Sequence, residues 1–157
     1  MYERILLAYD GSIEGAVALR EGALLAKRCG ARVFVLSVVP RTSGVRLAEG
    51  VHAGAIAHQI DGYKDLLARG VARLKLLGLE PVAKLVAGEP AREIGAFARE
   101  IAADLVVVGH RRRNILERWW SGSTGAYVSD YIGCSLLIGR NSVSDEAFEA
   151  ELRGAGA

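Results

Sequence analysis

Cysteine is nearly missing from this chain: two residues, Cys29 and Cys134, among 157. Two thiols cannot build a disulfide framework, and their separation matches no zinc-binding spacing. Both are expected as small apolar residues in a reducing compartment. Long hydrophobic runs are missing too. No stretch approaches the roughly 20 apolar residues of a membrane helix. The apolar run at residues 5–9, behind Met1-Tyr2-Glu3-Arg4, is too short for the core of a signal peptide. The chain is therefore expected to be cytoplasmic, with no membrane partner. An excess of one charge is also lacking: 20 basic and 18 acidic side chains leave +2, a balance that argues against a nucleic-acid partner. With 51% hydrophobic and only 6% aromatic residues, the core must be aliphatic, and the length suits one domain.

What is present is an alternation of short apolar runs with longer helical patterns. The runs lie at residues 5–9, 33–39, 81–86, 105–108 and 135–138, the third weaker than the rest. Runs that are apolar at every position suit strands covered on both faces. Between them, Ile56, Ile60, Tyr63, Leu67, Val71 and Leu74 recur at steps of three and four, as do Ile94, Phe97, Ala98 and Ile101. Pro90 stands where a first helical residue belongs, and Gly30 and Gly78 mark helix ends. Strand and helix alternate four times before a closing strand. That order predicts an α/β fold with a parallel sheet and right-handed crossovers. Ligands of such sheets bind beyond the strand carboxyl ends, at the point where strand order reverses. Asp10, residues 38–40, Gly88 and Gly109 fall there. Residues 41–54 are polar and glycine-punctuated and read as a mobile loop over that edge. The acidic, small-residue segment 142–157 reads as a flexible tail beyond a single domain at 1–141.

The connection after the fourth strand concentrates the chemistry. Gly109 and His110 lead into Arg111-Arg112-Arg113, then Trp119 and Trp120, before Gly122-Ser123-Thr124 opens a helix. Small residues at a helix start let backbone N–H groups approach an anion, hydroxyls add donors, and arginines supply charge suited to phosphate. The same residues also fit a plain alternative, a capped helix behind a solvated basic loop. His110 fits either a phosphate contact or an exposed loop position. His52 and His58, six apart, do not share a helix face, so no metal site is expected. No G-x-S-x-G elbow or P-loop occurs, and no spacing assembles a catalytic triad.

From Asp10-Gly11-Ser12 through Gly88-Glu89-Pro90 to the final strand, roughly residues 2–140, the chain resembles the universal stress protein family. ATP-binding members carry G-x2-G-x9-G-[S/T] after the fourth strand. Gly109 matches the first glycine, and Gly122 with Ser123 matches the end at the right spacing. Arg112 stands where the middle glycine belongs, and either contacts phosphate through its side chain or fills the site and excludes nucleotide. The resemblance implies a three-layer, doubly wound, five-stranded parallel sheet, Rossmann-like and similar to the adenine nucleotide alpha-hydrolases, with strand order 3-2-1-4-5. It implies that Asp10 faces a ribose, that Ala8 and Val38 line an adenine pocket, and that Val38 adds backbone bonds. ATP, with magnesium, is the implied ligand, held further by Arg112, Gly122, Ser123 and Thr124. The implied role is a dimeric nucleotide sensor in stress response that acts on a protein partner the sequence does not name, with at most weak ATP hydrolysis. The implied homodimer pairs the last strand with its partner's. A nucleotide-independent dimeric scaffold is the alternative, favoured by Arg112.

Overall fold

The computed structural model describes residues 1–40, 52–110, 128–140 and 143–155. Five strands, β1 (Arg4–Ala8), β2 (Arg32–Pro40), β3 (Val82–Gly88), β4 (Leu105–Gly109) and β5 (Ser135–Gly139), form one sheet. Its order is β3-β2-β1-β4-β5 with every pair parallel, the predicted architecture. The helices are α1 (Ile13–Cys29), α2 (His52–Leu76), α3 (Pro90–Glu100), the short α4 (Val128–Tyr131) and α5 (Asp145–Ala155). Residues 52–54, read as the end of a loop, already belong to α2. No helix among the described residues is long and apolar enough to cross a membrane.

Side chains of a strand alternate between faces, and here both faces are core. Ile5, Leu7, Val33, Val35, Leu105 and Val107 pack with residues of α1 and α2. Leu6, Ala8, Phe34, Leu36, Val38, Val106 and Val108 pack with residues of α3 and α4. This explains why the runs are apolar at every position rather than at every second one. Each fully buried aliphatic side chain contributes about 1.5–3 kcal/mol.

The first turns of α1 and α3 are capped by side chains. The Ser12 hydroxyl accepts from Gly15 N at 2.9 Å and caps α1. Glu89 caps α3, its carboxylate accepting from Ala91 N (3.2 Å) and Arg92 N (2.8 Å), with Pro90 at the first helical position. At the other end of α1, Gly30 takes φ 63°, the left-handed conformation that closes the helix.

Two glycines let α1 lie against the sheet's carboxyl end. Gly109 and Gly139 are register partners at the ends of β4 and β5. A Cβ on Gly109 would stand 2.6 Å from Glu14 O, and one on Gly139 would stand 2.7 Å from Ala18 Cα. Both obstacles are backbone and cannot rotate aside.

Within the segment read as a flexible tail, residues 145–155 are helical. They form α5, Phe148 is 1% exposed in the α1–α2 core, and Arg20 reaches Asp145 at 2.7 Å. The folded unit therefore extends past residue 141. Its acidic face hid a single aromatic anchor, whose burial depends on a groove built elsewhere in the chain.

Gly139→Ala should lower unfolding free energy by about 1–3 kcal/mol with an unchanged urea m-value, as overpacking without loss of two-state behaviour. Alkali should destabilise the fold as well. Burial raises the Tyr9 phenol above its ordinary 10.0, with Asp10 adding to this and Arg69 and Arg73 opposing it. Burial and Asp104 likewise raise the Cys134 thiol above 9.0. The unfolded chain releases these protons first, so the contribution is complete below the ordinary values and is lost as pH climbs past them. Urea unfolding followed upward from neutral pH should show that decline, and Tyr9→Phe should make it shallower.

Candidate functional site

Strand order reverses between β1 and β4, and the site expected from that reversal is built from β1, β2 and β4 and the turns that leave them. β1 stops at Ala8, paired with Leu36, while β2 continues against β3 as far as Pro40 opposite Gly88. Tyr9 N still donates to Leu36 O at 2.9 Å. Alternate residues of a strand face the same neighbour, so Val38 directs its N–H and C=O to the side on which β1 has ended. The Tyr9 carbonyl there accepts from the buried Ser37 hydroxyl at 2.6 Å. Ser37 was not singled out from the sequence. Its one visible signal is that it is the only polar residue within the run 33–39.

Ala8 and Val38 share the face covered by α3, and both side chains are buried, Val38 completely. The Val38 side chain is therefore core, and what this position offers a ligand is its backbone. Val39 and Pro40 carry the strand on past it.

Asp10 follows directly in the β1–α1 turn. Its Oδ1 accepts from Ser12 N (3.0 Å) and Ser12 Oγ (2.5 Å), which fixes the carboxylate at the mouth of the crevice. Gly11, at φ 74°, makes the sharp turn between them, and a Cβ there would run into Leu66 of α2. Gly15 is needed for the same turn, because a Cβ would collide with the Asp10 carboxylate. The hydroxyl that Asp10 orients is the one that caps α1, so a single carboxylate organises both the turn and the helix start.

Gly109 lies at the carboxyl end of β4, as expected, but its missing side chain makes room for the Glu14–Gly15 backbone. Packing alone accounts for this glycine. His110 follows, partly exposed, its backbone N–H donating to Gly139 O at 3.2 Å, so it extends the β4–β5 ladder rather than leaving it. Arg112, Gly122, Ser123 and Thr124 lie outside the described residues, as do Trp119 and Trp120.

At this end of the sheet, the first N–H groups of α1 and α3 are engaged by Ser12 and Glu89. The Glu89 carboxylate also adds negative charge at the start of α3, where a phosphate would be repelled. The described elements thus bring a backbone donor and acceptor, from Val38, and a carboxylate, from Asp10, to one end of the sheet. Among the described residues no group of three or more acidic, histidine or cysteine side chains is placed to hold a metal ion.

Comparison with known proteins agrees with this architecture. The family model described as "Universal stress protein family" matches residues 1–140. The universal stress protein YxiE of Bacillus subtilis is 31% identical over 149 residues, covering 89% of this chain and all of that protein. A crystal structure of a universal stress protein in complex with cAMP superimposes with a TM-score of 0.65 at 23% identity, over 90% of this chain and 99% of the other. The universal stress protein of Archaeoglobus fulgidus in complex with dAMP gives 0.62 at 22% identity, over 88% and 98%. At these identities the two structures establish the shared Rossmann-like fold. With the family model spanning nearly the whole sheet-forming chain, and a relative above 30% identity matched over its full length, this chain belongs to the universal stress protein family.

Proposed function

We propose that this protein binds an adenine nucleotide, ATP in the fullest form of the reading, and acts as a dimeric regulatory sensor rather than as a dedicated catalyst. The observation that carries the proposal is the overhang of β2 beyond β1, which leaves the Val38 N–H and C=O aimed into the crevice. An adjacent donor and acceptor of this kind complement the acceptor and donor nitrogens on the edge of adenine. The Asp10 carboxylate, fixed by Ser12, is a suitable acceptor for ribose hydroxyls. Relatives of the same fold crystallised with cAMP and dAMP support an adenosine-shaped crevice. Arg112, Gly122, Ser123 and Thr124 would hold the phosphates, with magnesium neutralising them. Micromolar affinity requires about −8 kcal/mol, within reach of base burial and a few charge-assisted bonds. Nucleotide occupancy would bias the connection at 111–127 and change the surface offered to a protein partner.

The nucleotide reading is tested by titrating nucleotide-stripped protein with ATP and magnesium in a calorimeter. Micromolar binding is expected, abolished by Gly122→Arg. GTP should bind at least about tenfold more weakly, because guanine reverses the donor and acceptor order of the edge. Silence from the wild type with binding regained in Arg112→Gly would mean that the arginine closes the site. The nucleotide-independent scaffold would then take its place.

The homodimer rests on β5. It is an edge strand whose Leu136, Leu137 and Ile138 are only half-buried, and pairing with a second copy would cover it. Sedimentation at micromolar concentration should give twice the chain mass. A monomer there would overturn the dimer without touching the nucleotide reading.

A further inference from the structure

Helix α5 lies beyond residues 1–140, the part matched by the family model, and nothing in the nucleotide crevice requires it. Four of its 11 residues are acidic (Asp145, Glu146, Glu149 and Glu151) against the single basic Arg153. The surface beneath it has the opposite sign. Arg20 and Lys27, seven residues apart and so on one face of α1, reach Asp145 (2.7 Å) and Glu151 (3.7 Å). The Arg73 guanidinium of α2 stands 5.4 Å from the centre of the Phe148 ring. Phe148 is the one fully buried side chain of α5, with Val143 and Leu152 packed partly beside it. The groove between α1 and α2 is therefore an apolar slot with a basic rim.

Its occupant leaves the slot incompletely satisfied. Arg20 is 8% exposed, and its Nε has no hydrogen-bond partner although an Nη is paired with Asp145. Buried polar atoms left unpaired weaken a contact. The Asp145 carboxylate is 75% exposed, so its pairing is open to salt. An 11-residue helix does not persist in water by itself. α5 thus depends on the groove, and the groove retains unmet hydrogen-bonding capacity.

We propose that the α1–α2 groove is a docking surface for an acidic amphipathic helix with one aromatic anchor, held in cis by α5 and open to a partner helix of the same chemistry. A partner helix that presents a carboxylate to both Arg20 Nε and Nη would engage the guanidinium fork fully, and so displace the resident helix.

The test uses a fluorescent peptide of residues 143–155 added to the full-length chain and to full-length Phe148→Ala. The variant, whose own helix no longer fills the slot, should bind at least about tenfold more tightly than the wild type. Binding should weaken as salt is raised, and on Arg20→Gln in the Phe148→Ala chain. Equal affinity for both chains, no binding to a Phe148→Ala chain that retains its far-ultraviolet circular dichroism, or indifference to salt and to Arg20→Gln would each overturn the proposal. Should Phe148→Ala fail to fold, native-state hydrogen exchange of the wild type decides. Amides of α5 must exchange at least about tenfold faster than those of α1. If they exchange only with global unfolding, the groove is a permanent part of the core and the proposal falls.

Discussion

The approach of α1 to the sheet governs how this molecule can hold a ligand. Its first turns lie directly on the ends of β4 and β5, at backbone distances that only the glycine pair Gly109 and Gly139 permits. That contact closes one face of the crevice at the strand-order reversal. It also fixes where the β1–α1 turn runs, and with it the Asp10 carboxylate and the Ser12 cap. Polar groups for a ligand must then come from the other side of β1, where β2 outruns it. The proposed nucleotide would set its base against that backbone and its sugar against the Asp10 carboxylate.

This division explains why a partial glycine motif is hard to interpret in isolation. The first glycine, Gly109, has a packing reason that operates with or without nucleotide. Arg112 separates the sensor from the scaffold, since a guanidinium can replace backbone contacts to phosphate or occupy their space. The capped helix starts sharpen the same point. Ser12 and Glu89 already use the N–H groups that would otherwise draw an anion to α1 or α3.

The core face under α1 and α2 carries a different kind of constraint. Tyr9 packs on Gly70 of α2, where a Cβ would stand 2.8 Å from its ring, and the positive charges of Arg69 and Arg73 act on its phenol. Arg73 also lies over Phe148. The α1–α2 layer therefore joins the turn after β1 to the helix that follows β5.

Much of the fold was legible from sequence because its signals are local. Strands buried on both faces must be apolar at successive positions, helices must repeat at three and four, and strand–helix alternation admits few topologies. Asp10, Val38 and Gly109 could be placed at one end of the sheet by counting alone. Other features depended on juxtaposition. The buried role of Ser37 required the end of β1 beside it. The unequal reach of β1 and β2, which exposes the Val38 backbone, follows from register and not from composition. α5 looked like a tail because one phenylalanine among acidic residues carries little periodic signal, and its burial is supplied by a groove between α1 and α2, far earlier in the chain. Local signals were enough for the layers and for the end of the sheet where Asp10, Val38 and Gly109 gather. Only the tertiary structure decided which backbone groups face the crevice and where the last helix rests, because both depend on how segments distant in the chain terminate against one another.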